Sequence, residues 1–195
     1  MKSQIRTAIV AFGIAVSAAV SPAMASPTAQ INGGYTLVEF LPEFVGALTS
    51  LGITPSKNLP GTLYQRIGFF PIVGGRIDAA NARGEIPHSG GLKLTKGATQ
   101  VILSDFIIDT AGSAPRLTGL VTASGSIVGR IPLFNLALPA ISLPLVLPPG
   151  PEILLVEGSR MTLTQEAATA LNGVFATTAF VAGFQIGIAS VYGNY

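Results

Sequence analysis

Apolar and polar residues alternate over short stretches in the middle of the chain, and glycine-rich turns separate these stretches. The clearest example is residues 91–96, and within residues 100–108 Val101 and Leu103 share one face. Alternation of this kind is typical of strands that bury one face and expose the other. It predicts short strands over residues 35–40, 63–73, 76–78, 85–86, 91–96, 100–108, 116–123 and 126–131.

Helical spacing of apolar residues occurs once before this region and once after it. The first set, which predicts a short amphipathic helix over residues 42–51, is Leu41, Phe44, Val45, Leu48 and Leu51. A second helix is predicted over residues 165–175, with Thr164 as its N-cap. Around the second helix, a hairpin is predicted over residues 152–156 and 160–163, and a final β region over residues 179–191.

Short strands at regular spacing with glycine-rich turns are typical of antiparallel sandwiches and barrels. The sequence therefore predicts a mainly β fold, either an antiparallel β-sandwich or a sheet-rich domain of short hairpins, with two short flanking α-helices. Small polar residues over 26–34 predict a loose lead-in. The predicted core comprises Leu48, Phe70, Leu94, Leu103, Ile108, Val121, Leu171 and Phe175. A small outer-membrane β-barrel is a further alternative, because residues 184–195 alternate and end in an aromatic residue.

Residues 132–151 form an apolar segment that carries six prolines and no charged residue. Proline cannot continue a central strand ladder, because it lacks the backbone N–H group. The segment is predicted to be extended chain packed along a sheet. The alternative is an exposed surface for contact with a protein or with the cell envelope.

The first residues of the chain have the layout of an export signal. Lys2 and Arg6 precede an apolar run over residues 7–20, and Ala23-Met24-Ala25 forms a small-x-small cleavage site. The run is shorter than the roughly 20 residues of a membrane span. The sequence thus predicts a signal peptide over 1–25, a single β-rich domain over 26–195 without a transmembrane helix, and a periplasmic, cell-surface or extracellular location.

Composition removes several function classes. The 195 residues include no cysteine and one histidine, which excludes a disulfide framework, a thiolate metal site and a multi-histidine metal centre. The formal net charge of +2 is accounted for by Lys2 and Arg6, so residues 26–195 are formally neutral. The other basic residues are scattered among acidic ones. Nucleic-acid binding needs clustered positive charge and is therefore not predicted.

Few side chains offer candidate chemistry. The single histidine, His88, precedes Ser89-Gly90-Gly91. A lone histidine is most simply a structural residue, and the functional alternatives are a haem or metal ligand or a catalytic base. The acids Asp78, Asp105 and Asp109 are predicted to lie in turns and at strand ends. No nucleophile motif accompanies these groups. The sequence accordingly predicts no catalytic residue, no metal site and no enzyme activity.

Residues 68–123 resemble a known family. The matching segments include Gly-Phe-Phe-Pro-Ile-Val-Gly-Gly over 68–75 and His-Ser-Gly-Gly-Leu-Lys-Leu over 88–94, with shorter matches at 77–78, 84–86, 103–105 and 117–121. These segments resemble the HtaA-type domain, a family of exported bacterial β-rich modules whose studied members bind haem at the cell surface. The resemblance implies a shared fold and makes haem the cofactor to consider.

The same resemblance bears on two candidate haem ligands, His88 and Tyr35, in different ways. The family's histidine lies in a Gly-His-Gly-Gly-like turn, whose nearest match here is His88 with the three residues that follow it. The family's Ser-Phe-x-x-Tyr stretch, which supplies its tyrosine ligand, has no counterpart, and Tyr35 instead precedes the predicted helix. The predicted function is a secreted or envelope-associated, non-enzymatic β-rich binding or structural domain. The alternative is an HtaA-like haem-binding module that uses His88 and Tyr35.

Overall fold

The computed structural model describes residues 27–146, 150 and 152–195, so the predicted export signal over 1–25 lies outside the described residues. The described part contains thirteen strands and two helices. In chain order they are β1 (Thr28–Ile31), β2 (Gly33–Phe40), α1 (Pro42–Ser50), β3 (Thr54–Asn58), β4 (Thr62–Tyr64), β5 (Ile67–Pro71), β6 (Gly75–Asp78), β7 (Gly84–Pro87), β8 (Gly91–Lys96), β9 (Thr99–Asp109), β10 (Arg116–Ala123), β11 (Ser126–Ala137), β12 (Ile153–Leu163), α2 (Gln165–Phe175) and β13 (Gln185–Asn194).

All thirteen strands belong to one curled antiparallel sheet. The order across it is β1-β6-β7-β9-β10-β11-β12-β13-β2-β5-β4, while β8 pairs with β9 and with β3. This arrangement confirms the mainly β prediction with two short helices. Of the two predicted architectures, the sheet-rich domain of hairpins is the one that forms. The last strand, β13, lies between β12 and β2, so the C-terminal strand is an interior strand of the sheet, whereas β1 lies at one edge.

Alternating burial explains why these segments form strands, and β9 shows how the alternation is adjusted. Val101 and Leu103 point into the core, and Asp105 then adopts a left-handed backbone with φ of 50°. The inward positions after it are Phe106 and Ile108. The pairing of β9 with β10 shifts at this point, which is the signature of a β-bulge. The bulge lets one long strand keep apolar residues on the inner face on both sides of Asp105.

Both helices follow directly from a strand, and their bounds lie within one residue of those predicted. Helix α1 has Pro42 in its first turn, where the missing N–H group costs no hydrogen bond. Helix α2 is capped by Thr164, whose Oγ1 accepts a hydrogen bond from the Ala167 N–H at 3.1 Å. Ala176 then adopts a left-handed backbone and ends the helix. Neither helix has the length and apolar run that a membrane crossing would require.

Three local predictions are wrong. The supposed lead-in over 26–34 contains β1, which pairs with β6. Residues 63–73 do not form one strand, because Gln65 turns the chain with φ of 54° between β4 and β5. The predicted hairpin over 152–163 is the continuous strand β12, in which Gly158 sits at a shift of register rather than at a reversal of direction.

The proline-rich segment divides into two parts. Residues 132–137 complete β11, where Leu133, Phe134 and Leu136 are buried, and Pro132 sits at a shift in the pairing with β10. The following residues leave the sheet, and the Leu145 N–H donates to the Ala79 carbonyl at 2.6 Å. The first part is therefore extended, as predicted, but it belongs to a central strand of the sheet instead of packing along the sheet, and the shift in pairing accommodates Pro132. The placement of 147–149 and 151 lies outside the described residues.

The core fills the inner face of the curled sheet. All eight predicted core residues are buried, which confirms the predicted set: Leu48, Phe70, Leu94, Leu103, Ile108, Val121, Leu171 and Phe175. Helix α1 covers one region through Phe44 and Leu48, and helix α2 covers another through Leu171 and Phe175. The opposite face of the sheet carries exposed residues, Tyr35 among them.

Candidate functional site

His88 lies directly after β7 and points into the core. Its backbone N–H donates to the Phe106 carbonyl at 2.7 Å, and it forms an isolated bridge with Ile72. Its ring nitrogen Nε2 is 2.7 Å from the Thr36 hydroxyl, which reaches it from β2. The side chain is only 4% exposed. The predicted candidate His88 is therefore a core residue that joins two regions of the sheet.

Burial determines the charge of this histidine. Desolvation lowers the pKa of His88 from 6.5 to about 4, and the nearby backbone carbonyls of Phe106 and Ile86, which favour the charged ring, offset part of that effect. The ring is therefore neutral at pH 7. Its second nitrogen, Nδ1, has no hydrogen-bond partner among the described residues. A neutral imidazole with one free nitrogen can accept a proton, bind a water molecule or ligate a metal.

The space beside His88 limits what it can hold. The adjoining cavity has a volume of about 20 Å³ and is lined by Thr36, Phe106, Phe134 and Met161, among others. A cavity of this volume is enough for one water molecule. Pockets for drug-sized ligands measure about 300–1,000 Å³. A macrocycle can therefore reach His88 only if the core opens.

Tyr35 lies on β2 next to Thr36, but its side chain points to the outer face of the sheet. Consecutive strand residues point to opposite faces, so Tyr35 points outward where its neighbour Thr36 points inward to His88. The Tyr35 side chain is 41% exposed. The structure therefore does not bring the two predicted haem ligands, Tyr35 and His88, to one site.

Aromatic and apolar side chains surround Tyr35 on this outer face. Its ring stacks on Tyr192 of β13 with centroids 4.9 Å apart, and its centroid lies 5.9 Å from that of Phe69 on β5. In the strand register Tyr35 is paired with Tyr192 and Pro71, and Tyr192 is paired with Leu155. We call the surface formed by Leu155, Tyr192, Tyr35, Pro71 and Phe69 the outer aromatic face.

The two stacked tyrosines differ in their hydroxyl groups. The Tyr192 hydroxyl donates to Glu157 Oε1 at 3.1 Å, and this hydrogen bond to a carboxylate raises the pKa of Tyr192. The Tyr35 hydroxyl makes no hydrogen bond to the residues that the structure describes. Tyr35 is thus the phenol of this pair that is free to bind a ligand.

The sequence offers Tyr35 as a candidate ligand but does not place Tyr192 or Phe69 beside it. Tyr192 comes from the last strand and Phe69 from the fifth, and their meeting depends on the pairing of β13 and β5 with β2. The available sequence signal was the outward position of each residue within its own alternating stretch. That signal gives the face of a strand but not its neighbours.

The acidic residues serve local structure. Asp78 Oδ1 accepts a hydrogen bond from the Ala80 N–H at 2.7 Å, and Asp109 Oδ1 accepts one from the Ala111 N–H at 2.8 Å. Both are turns in which an aspartate side chain bonds the backbone two residues further on. Within the described ranges, histidine and acidic side chains form no cluster of three that could hold a metal ion.

The known proteins that match this chain do so in structure and not in overall sequence. No family model and no curated protein matches the chain. Among solved structures, the C-terminal domain of HtaA from Corynebacterium glutamicum matches with a TM-score of 0.63 at 16% identity, covering 85% of this chain and 98% of that one. The N-terminal domain of the same protein gives 0.60 at 14% identity, with 83% and 97% covered.

A third solved structure, the haem-binding protein HtaB from the same organism, matches with a TM-score of 0.55 at 11% identity, covering 87% of this chain and 97% of that one. The match spans nearly the whole of each of these structures and most of this chain, well beyond the residues 68–123 that carry the resemblance in sequence. The described part of the chain therefore has the fold of an HtaA-type domain.

Proposed function

We propose that this chain is an exported, non-enzymatic binding domain whose outer aromatic face takes a flat, largely apolar ligand, with haem as the candidate to test first. The observation that carries the proposal is Tyr35, an exposed phenol with an open hydroxyl, held between the rings of Tyr192 and Phe69. Phenolate oxygen is one of the protein ligands of haem iron.

The surroundings of Tyr35 suit a planar ligand. Offset or tilted contacts between aromatic rings stabilise association by about 0.5–1.5 kcal/mol each, beyond the area that they bury. Phe69 and Leu155 are 37% and 49% exposed, so the face presents apolar surface to solvent beside the phenol. The fold shared with the haem-binding protein HtaB supports the same ligand.

His88 has a different role in this proposal. It is buried, neutral at pH 7 and bonded to Thr36, and the cavity beside it has room for one water molecule. A haem on His88 would require the core to open between β2 and β7. We therefore assign the iron to Tyr35 and a structural role to His88.

A haemin titration of the chain over 26–195, followed by absorbance, tests this assignment. We expect a shifted Soret band and a tyrosinate-to-iron charge-transfer band that saturate with haemin. Tyr35→Phe removes only the hydroxyl oxygen and should weaken binding at least tenfold. Tyr192→Phe is the matched control, because it deletes the neighbouring hydroxyl on the same face, and it should retain the charge-transfer band.

The outcomes separate the two candidate ligands. Loss of the haemin spectrum in His88→Gln, with Tyr35→Phe unaffected, would move the site into the core and contradict the outer aromatic face. A titration without any spectral change would exclude haem as the ligand.

Mass spectrometry of the protein recovered from its cells tests the export part of the proposal, and the expected chain starts at residue 26.

Contact through residues 132–151 is a second candidate function. Leu143 is 49% exposed and Val146 is 88% exposed, at a point where the chain has left the sheet. Exposed apolar residues that lie together are typical of contact surfaces.

The double variant Leu143→Ser with Val146→Ser should sediment less with cell envelopes. Ile127→Ser, which changes another exposed aliphatic residue, should sediment as the unchanged chain does, and equal sedimentation of all three contradicts this role.

A further inference from the structure

A cavity of about 140 Å³ lies beneath helix α2, on the inner side of the sheet. Its floor comes from β9, β10 and β11, which contribute Leu103, Val121 and Leu133, among others. Its roof comes from α2, through Ala170 and Leu171. It is separate from the outer aromatic face, because the sheet lies between them.

The lining of this cavity is entirely apolar. All of its side chains are valine, leucine, isoleucine, alanine or phenylalanine. The backbone around it is bonded within the strand ladders and within α2. A water molecule inside would find none of the two to four polar partners that stabilise buried water. The cavity is therefore suited to an apolar occupant.

The cavity also has an opening to solvent. Val128, which lies at its rim on β11, is 57% exposed, and Ala170 and Val174 on α2 are half-buried. An occupant can enter between α2 and β11 without separating any paired strands. The same opening lets the polar end of a longer molecule remain in water.

We propose that this cavity binds a hydrocarbon group of about six carbons, since an apolar cavity of about 150 Å³ is known to bind benzene or xenon and to exclude water. The group is either a small free hydrocarbon or the apolar end of an amphiphile whose polar end stays at the rim. This site is independent of haemin binding at Tyr35.

Benzene and hexanoate are the two probes, one for each source of the hydrocarbon group. Each is titrated into the chain over 26–195 while methyl NMR signals and thermal unfolding are recorded. We expect saturable shifts of the methyl signals of Leu103, Leu133 and Leu171, together with a rise in Tm, because a ligand that binds only the folded state stabilises it. Binding of benzene alone identifies a free hydrocarbon, and binding of both identifies a site that also accepts an amphiphile.

Ala170→Leu fills the cavity from the roof and should weaken the binding of either probe at least tenfold. The matched control is Ala47→Leu, the same substitution at a half-buried position of α1, which should bind as the unchanged chain does. Val174→Phe blocks the rim and serves as the second variant if Ala170→Leu does not fold. The proposal is overturned if neither probe gives saturable methyl shifts, or if a folded blocking variant binds as well as the control.

Discussion

The contact between His88 and Thr36 shows how much one buried polar pair can determine. The pair joins residues from β2 and from the end of β7, 2.7 Å apart, within an apolar core. A buried polar group without a partner costs about 1–3 kcal/mol of stability. The Thr36 hydroxyl removes this cost for Nε2, and the adjoining cavity has room for a water molecule on Nδ1.

The low pKa of His88 predicts that the fold loses stability in acid. The folded-state pKa of about 4 lies below the ordinary value of 6.5. The unfolded chain therefore binds a proton more readily, and the stability associated with neutral His88 is complete above pH 6.5 and is lost as pH falls toward 4. The full loss is about 3 kcal/mol, since one pKa unit corresponds to about 1.4 kcal/mol.

Urea unfolding at intervals between pH 7 and pH 4 measures this loss. His88→Gln keeps a polar side chain but cannot titrate, so the difference between the two proteins should change by up to about 3 kcal/mol across this range. Carboxylates titrate in both proteins and cancel in that difference. Parallel pH profiles for the two proteins would show that His88 does not carry the effect.

At the scale of single elements, Thr164 connects helix α2 to strand β11. Its hydroxyl oxygen accepts from the Ala167 N–H, and its hydroxyl hydrogen is donated to the Pro132 carbonyl at 2.8 Å. The residue thus caps the helix and satisfies a carbonyl at the bulge where proline interrupts the ladder. One oxygen atom therefore both caps α2 and bonds α2 to β11.

Thr164→Ala should lower the free energy of unfolding by about 1–2 kcal/mol, because removal of an N-cap hydroxyl has a cost in this range. Thr164→Ser keeps the oxygen and should retain most of the stability. Chemical denaturation of the three proteins gives the comparison. Equal losses in the serine and alanine variants would attribute the effect to the methyl group of threonine instead of to the cap.

The elements also show where sequence is informative. The helices and the inward positions of β9 follow from local spacing, which is why Thr164, Leu103 and Ile108 are predicted correctly. Glycine and proline occur at β-bulges as well as in turns, so their presence does not distinguish the two. Local sequence therefore misassigned Gly158 as a reversal of direction, although it stands at a shift within β12. Strand neighbours are not local at all, so the ring partners of Tyr35 could not be predicted.

At the scale of the whole molecule, the position of β13 predicts cooperative unfolding. The C-terminal strand pairs with β12 on one side and with β2 on the other, so the sheet is continuous only when the last residues are in place. Such non-local pairing is typical of slowly folding β proteins. It also assembles the outer aromatic face, since Tyr192 reaches Tyr35 only through this strand.

Ile186 is fully buried in β13, and its truncation tests this cooperativity. Ile186→Ala should lower the free energy of unfolding by about 2–5 kcal/mol, through lost apolar contact and the cavity that remains. Because β13 holds both halves of the sheet, circular dichroism and tyrosine fluorescence should report the same unfolding midpoint. Ile127→Ala makes the same change at a side chain that is 73% exposed and should stay within about 0.5 kcal/mol. Separate midpoints for the two probes would mean that the parts of the sheet on either side of β13 unfold independently, and a small loss would contradict the predicted contribution of Ile186 to the core.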